Sequence, residues 1–207
     1  WPVSTGAFQT TYGGGEWDIG IIKLSPDGSS RIYATYIGGS GIEQPHSLVV
    51  DAQGECIIAG RSNSPNSPAS GAYPTTVATI GGGGYDIVVT KLNATGTGLV
   101  GSIKIGGSLD DGVNITATRK GVNSLQRNYG DDGRSEVIVD GGNNIYVASS
   151  TQSVDFPVTG GFQTKFGGGQ DGVVLKFPPN LSAPLFASYL GGARNDAAYE
   201  AAVQVFG

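Results

Sequence analysis

The sequence has few of the side chains on which catalytic and metal sites most often depend. Among 207 residues there are one histidine, one cysteine and no methionine, and charged residues make up only 14%. Because His46 is alone, a multi-histidine metal site is excluded. Because Cys56 is alone, an internal disulfide is excluded. We expect His46 to be a polar loop residue and Cys56 to be a buried, unreactive thiol.

Charge and hydropathy argue against two classes of partner. The formal net charge of −5 is unlike a nucleic-acid surface or a basic membrane patch. No apolar run approaches the roughly 18 to 20 residues that span a bilayer, so no transmembrane segment is expected. Because the chain has no methionine and begins at Trp1 inside a repeat, we expect it to be a processed product or a fragment of a longer protein.

What the sequence does have is glycine. The 36 glycines are more than double the usual share and follow no collagen-like period. Aliphatic segments of strand length alternate with turn residues, and no long stretch shows the 3.6-residue period of a helix. The composition therefore predicts an all-β domain with many tight turns and little helix.

A repeat organises the chain. A glycine run that ends in an aspartate precedes a strand-like segment three times, at Asp18, Asp86 and Asp171. A lysine follows each aspartate by five residues (Lys23, Lys91 and Lys176), and a glycine pair follows it by twenty (first glycines Gly38, Gly106 and Gly191). We place the repeats at about 6–70, 71–159 and 160–207, with an insertion near 109–129 in the second.

Each repeat supplies up to four candidate strands. They are residues 19–24, 31–37, 47–50 and 56–60 in the first repeat; 87–92, 99–105, 136–139 and 144–149 in the second; and 173–177 and 185–190 in the third. Short hairpins are expected at Asp51 and Asp140. Four antiparallel strands per repeat are typical of a β-propeller blade, so we predict about three blades of a larger ring or array.

The motifs resemble the SBBP-type β-propeller repeat of bacterial secreted and surface proteins. The similarity lies in GAFQTTYGGG (6–15), DIVVTKL (86–92), TYIGGS (35–40), SYLGGA (188–193) and VDGGNNIYVAS (139–149). It covers nearly the whole chain apart from the insertion. The resemblance implies a propeller fold, an extracellular or cell-surface location and a scaffold that occurs in varied proteins; it implies no particular activity.

Each repeated residue has a structural and a functional interpretation. The three aspartates are expected to accept N–H bonds from their glycine turns; as an alternative they would ring the propeller axis and bind cations. Side chains alternate along a strand, so an aspartate and the lysine five residues later face opposite sides. Any Asp–Lys pair is therefore expected between strands or blades.

Cofactor motifs are absent or incomplete. No glycine run continues into the G-K-(S/T) of a P-loop, and no EF-hand loop is complete. We predict no resident cofactor or metal. A looser calcium site at Asp110-Asp111 or Asp131-Asp132 is the alternative that stays open.

Surface features suggest partners without naming them. Sequons at Asn93, Asn114 and Asn180 are candidate glycosylation sites in predicted loops. The insertion places Arg119, Lys120 and Arg127 in an otherwise acidic chain, and long loops on rigid scaffolds often bind partners. We expect these three residues to contact a protein partner.

The leading hypothesis is a non-catalytic extracellular scaffold that presents blade loops to protein partners and packs against other repeats or copies. A lectin-like propeller is the first alternative. Its stacking platforms would be aromatic residues near blade turns: Trp1, Tyr12, Trp17, Tyr85 and Phe166. Binding on a glycan array that is lost with Trp17→Ala would distinguish it from the scaffold. The second alternative is a lyase or hydrolase with paired axial carboxylates.

Overall fold

The computed structural model describes residues 1–66, 83–114 and 135–203, and these residues form ten β-strands and no helix. The all-β prediction is therefore confirmed. The strands, in chain order, are β1 (Ile19–Leu24), β2 (Arg31–Ile37), β3 (Glu43–Val50), β4 (Cys56–Ser62), β5 (Asp86–Leu92), β6 (Leu99–Ile105), β7 (Glu136–Val139), β8 (Ile145–Thr151), β9 (Asp171–Phe177) and β10 (Phe186–Leu190).

The strands form three antiparallel sheets that we number in chain order. Sheet 1 is β1–β2, sheet 2 is β3–β4–β5–β6, and sheet 3 is β7–β8–β9–β10. Each four-stranded sheet takes its first two strands from the end of one sequence repeat and its last two from the start of the next. The expectation that one repeat folds into one sheet was therefore wrong. Two hairpins of successive repeats pair edge to edge instead, through β4–β5 and β8–β9.

Several strands are longer than the sequence predicts. β3 begins at Glu43 instead of residue 47, β4 ends at Ser62 instead of residue 60, and β8 ends at Thr151 instead of residue 149. Apart from Pro45 these additions are polar, which is why hydropathy alone missed them. They are nevertheless paired, because Glu43 lies opposite Ser62 in the β3–β4 ladder.

The central strands β4 and β5 of sheet 2 are buried on both faces because this sheet packs between the other two. One apolar cluster joins Ile57 and Ile87 of sheet 2 to Val147 and Leu175 of sheet 3. A second cluster joins Cys56, Ile58 and Leu92 of sheet 2 to residues of sheet 1, namely Ile19, Ile21, Tyr33 and Ile37. Successive residues of β4 thus face sheet 1 and sheet 3 in turn. Because both faces are covered, the strand is continuously apolar instead of alternating between apolar and polar residues.

The two aspartate turns form as the sequence predicts. The Asp51 carboxylate accepts the N–H groups of Gln53 and Glu55 at 3.0 and 2.9 Å, and Gly54 adopts a φ of 76°. At the corresponding turn, Asp140 accepts the N–H groups of Gly142 and Asn144 at 2.9 Å each. Both turns therefore close their hairpins by satisfying backbone donors locally. In the described part of the chain, no helix has the length and apolar character to cross a membrane.

Candidate functional site

The constant spacing of twenty residues between aspartate and glycine pair is the register of a hairpin. Ile19 pairs with Ile37 and Ile87 pairs with Ile105, while Gly172 pairs with Leu190. The aspartate one residue before each of Ile19, Ile87 and Gly172 therefore lies opposite the first glycine of the pair. A Cβ at Gly38, Gly106 or Gly191 would overlap the carboxylate of Asp18, Asp86 or Asp171, respectively. Each glycine is required because its aspartate occupies the space of a side chain.

The three aspartates lie in the same position but have different partners. Asp18 accepts the N–H of Gly13 at 2.6 Å, and Asp171 accepts the N–H of Gly167 at 2.8 Å. Asp86 pairs instead with Lys104 of the neighbouring strand at 2.9 Å. Burial is the main cause that raises the pKa of each carboxyl. In all three, the Oδ1 atom is buried without a hydrogen-bond partner.

The repeated lysines do not pair with the repeated aspartates. The Lys91 ammonium forms ion pairs with Asp51 at 2.7 Å and Glu55 at 2.8 Å. Burial acts to lower the pKa of Lys91, but the two carboxylates outweigh it and raise the pKa. Lys23 donates to the carbonyl of Ala94, in the turn between β5 and β6, at 3.2 Å, which ties sheet 1 to its neighbour. Lys176 lies over the ring of Tyr146 at 5.0 Å.

A further repeated acid escaped the sequence analysis. Glu43, Asp111 and Asp196 each stand five residues after the first glycine of a pair. Their side chains accept the N–H of the second glycine, at 2.9 Å from Gly39, 2.7 Å from Gly107 and 2.7 Å from Gly192. The signal was present as a constant spacing, but it was hidden because Glu replaces Asp in the first copy.

We call residues 38–43, 106–111 and 191–196 the glycine-pair loops. The backbone N–H of each acid donates to the carbonyl of the residue before the repeated aspartate, always at 2.8 Å: Glu43 to Trp17, Asp111 to Tyr85 and Asp196 to Gln170. The glycine runs pack on these loops, since a Cβ at Gly15, Gly83 or Gly168 would overlap the loop backbone. Glycine is thus needed at the runs for close contact between backbones.

The first glycine-pair loop is held by the chain that follows β4. Ser40 donates its backbone N–H to Asn66 at 2.8 Å, and Gly41 donates its N–H to the Ser64 hydroxyl at 2.7 Å. The Ser62 hydroxyl donates to the Glu43 carboxylate at 2.6 Å. Because the loop connects β2 of sheet 1 to β3 of sheet 2, and Ser64 and Asn66 follow β4, the bonds from Ser40 and Gly41 fix the connection between two successive sheets.

The second glycine-pair loop is held in the same way by the chain that follows β8. Ser108 donates its N–H to Asp155 at 2.8 Å, and Leu109 donates its N–H to the Ser153 hydroxyl at 2.9 Å. The hydroxyls of Thr151 and Ser153 both donate to the Asp111 carboxylate. We call residues 62–66 and 151–155 the clasp segments; both have the pattern Ser/Thr-x-Ser-x-Asn/Asp.

Two acids of the second junction lie close together. Asp111 is fully buried, and burial raises its pKa to about 7, with the Asp86 charge adding to the effect. A Cβ at Gly106 would lie 2.6 Å from Asp111 and would overlap Asp86 as well, so both carboxylates border the same glycine. Two carboxylates this close in a buried site disfavour full ionisation of both.

The structure does not gather the predicted site residues into one catalytic or metal centre. No group of three or more His, Cys, Asp or Glu side chains in the described ranges is placed to hold a metal ion. Asp111, one of the calcium candidates, accepts hydrogen bonds from the second clasp segment. Asp131, Asp132 and the three basic residues of the insertion (Arg119, Lys120 and Arg127) lie outside the described residues.

The remaining candidates differ in accessibility. Asn180 is exposed and Asn93 half-buried, both in turns, whereas Asn114 is only 1% exposed and is not presented as a glycan acceptor. His46 approaches Ser135 at 3.1 Å between β3 and the start of β7, so it lies on a strand and not in the expected loop. Cys56 is buried, as expected, and burial raises its pKa to about 11.

Two of the aromatic candidates share a surface. Trp1 and Tyr12 both pack against Tyr36, with ring centroids 6.4 and 5.9 Å apart. Trp17 is about half exposed. Tyr85, which corresponds to Trp17 in the second repeat, lies under the Arg61 guanidinium at 4.7 Å. Phe166 packs against Tyr189 at 5.7 Å.

No known family model matches the chain, and no curated protein matches it. What defines the molecule is therefore its own internal repetition: all-β sheets joined by a junction that occurs twice with the same bonds.

Proposed function

We propose that the chain is a segment of a β-propeller that works as a non-catalytic extracellular scaffold, built from repeats of the SBBP type. The observation that supports this is the repeated junction. Sheets 1 and 2 and sheets 2 and 3 are joined by a glycine-pair loop and a clasp segment at equivalent positions. The same contact applied again and again generates a ring or a regular array.

Contact between corresponding strands favours a ring over a loose chain of sheets. β3 and β7 are the first strands of sheets 2 and 3, and they pack against each other. Ser47 of β3 donates to Glu136 of β7 at 3.1 Å, and Gln53 accepts from Asn143 at 2.6 Å. In a propeller the first strands lie closest to the axis, where neighbouring blades meet.

The hydrogen bonds of the buried polar side chains in the described residues support a scaffold role. The buried acids and hydroxyls of the two junctions bond one another and the backbone of the glycine-pair loops. The insertion with Arg119, Lys120 and Arg127 is the proposed contact for a protein partner. A glycan-binding surface is the second candidate, because Trp1, Tyr12 and Trp17 stay about half exposed on sheet 1.

Electron microscopy of the full-length protein that contains these repeats tests the architecture. We expect a ring of roughly four to eight sheets around a central channel. An extended array without closure would discard the ring but keep the repeated junction. Sheets that are separated by flexible linkers would contradict both.

A further inference from the structure

In the described part of the chain, the third glycine-pair loop has no clasp segment bound to it. Its acid is fixed as in the other copies: Asp196 accepts the N–H of Gly192 at 2.7 Å and donates its own N–H to Gln170 at 2.8 Å. Gln170 also donates a side-chain N–H to the Asp196 carbonyl at 3.0 Å. The loop is therefore already in the bonded conformation that the first two copies have.

The difference between the copies lies in what covers the loop. Gly39 and Gly107 are buried, and so are Glu43 and Asp111. In the third copy Gly192 is exposed and Asp196 is half-buried, whereas the residue after the second glycine (Ser40, Ser108 or Ala193) is exposed in all three copies. Within the described residues, the N–H groups of Ala193 and Arg194 have no bonding partner, whereas the corresponding groups of the other loops bind a clasp segment.

We propose that residues 191–196 form a docking site for a β-strand followed by a Ser/Thr-x-Ser-x-Asn/Asp segment. The Asn or Asp side chain would accept the N–H of Ala193. The middle Ser would accept the N–H of Arg194, and the first hydroxyl would donate to Asp196. This chemistry is taken from the two occupied junctions, in which every one of these bonds is present.

The sequence also limits which polypeptide segment can bind this docking site. Ser/Thr-x-Ser-x-Asn/Asp occurs twice in the 207 residues, at 62–66 and 151–155, and both copies hold loops of their own chain. A second folded copy of residues 1–207 thus has no free clasp segment to offer. The occupant is instead a further repeat of the same type. In this respect the inference rests on the proposed repeat scaffold, although it does not need the ring to close.

The probe is a synthetic peptide with the sequence of residues 145–155, which contains strand β8 and its clasp segment. We expect the chain to bind it with 1:1 stoichiometry in calorimetry. The amide resonances of Ala193 and Arg194 should shift on binding. The matched control is the same peptide with Ser153→Ala and Asp155→Ala, which keeps the strand and removes the clasp; we expect at least tenfold weaker binding.

On the protein side, Asp196→Ala should weaken binding of the native peptide at least tenfold, because the first hydroxyl loses its acceptor. Asp27→Ala serves as the matched carboxylate variant, since Asp27 bonds only Ser25 and Ser29 within the turn between β1 and β2. It should bind as the parent chain does. Circular dichroism establishes that both variants are folded.

Three outcomes would overturn the proposal: no binding of the native peptide, equal binding of the two peptides, or amide shifts at β1 in place of residues 191–196. An extended array in microscopy together with clasp-dependent binding would reject the ring alone. The hypothesis of a closed ring and the hypothesis of a docking site at residues 191–196 can therefore be rejected independently.

Discussion

At the residue scale, the glycines opposite the repeated aspartates are set by space and not by backbone conformation. Gly106 borders both Asp86 and Asp111, and an added Cβ would overlap the first and lie 2.6 Å from the second. Neither carboxylate is free to move, because Asp86 pairs with Lys104 and Asp111 is held by the clasp segment.

We therefore predict that Gly106→Ala lowers the free energy of unfolding by about 1 to 3 kcal/mol, the usual cost of overpacking a buried position. Gly141→Ala is the control, because a Cβ there meets nothing within 4 Å; its effect should stay within about 0.5 kcal/mol. Urea denaturation monitored by circular dichroism measures both. Equal effects of the two substitutions would show that the aspartate does not need this space.

The buried acid of the second junction makes stability depend on pH. The pKa of Asp111 rises from its ordinary value to about 7 on folding, so between pH 4 and 7 the folded chain binds a proton that the unfolded chain has released. The free energy of unfolding then falls as pH rises through this window and levels off above it. The groups that face Asp111 are Asp86, whose pKa is also raised, and Lys104, which is paired with Asp86.

Asp111→Asn removes this titration. We expect the variant to gain stability relative to the parent chain by a few kcal/mol between pH 4.5 and pH 8, since a shift of one pKa unit corresponds to about 1.4 kcal/mol. Urea denaturation of both proteins across this range measures the difference. A constant offset at all pH values would mean that Asp111 is ionised in the folded chain.

At the element scale, the sequence was informative where a residue acts through its own turn or hairpin. The spacing of twenty between Asp18 and Gly38 is one hairpin register, and the Asp51 turn bonds its own backbone. Both could be predicted because the interacting groups lie on one short stretch of chain. Strand ends made of polar residues, such as Glu43 and Ser62, could not, because their pairing is decided by the partner strand.

The grouping of hairpins into sheets could not be predicted for a related reason. A period in the sequence fixes the length of the unit but not where a sheet begins. The chain could have paired the two hairpins of one repeat; it pairs those of successive repeats instead, as β4 with β5. The clasp segments were missed for a similar reason, because Ser64 and its partner Gly41 are 23 residues apart in the sequence and lie in different loops.

At the scale of the whole molecule, the three sheets differ in how much of their surface is covered by neighbouring sheets. Sheet 2 packs between two neighbours, while sheet 1 has two strands and one neighbour in the described chain. The residues of β1 show the difference: Ile22 and Leu24 are 45% and 49% exposed, whereas Thr90 and Leu92 at the equivalent positions of β5 are 4% and 0%. Because a two-stranded sheet is marginal by itself, the cover it receives from sheet 2 is the main source of its stability.

The single cysteine reports on that contact. Cys56 lies in the cluster between sheets 1 and 2 and is 4% exposed, so a thiol reagent reaches it only when sheet 1 moves away. In Cys56→Ala with Val147→Cys, the thiol lies instead in the cluster between sheets 2 and 3. We predict that the native thiol is labelled at least tenfold faster than the introduced one, in native buffer and at equal pH. Separation of sheet 1 alone then costs less free energy than global unfolding, whereas equal rates would mean that all three sheets open as one unit.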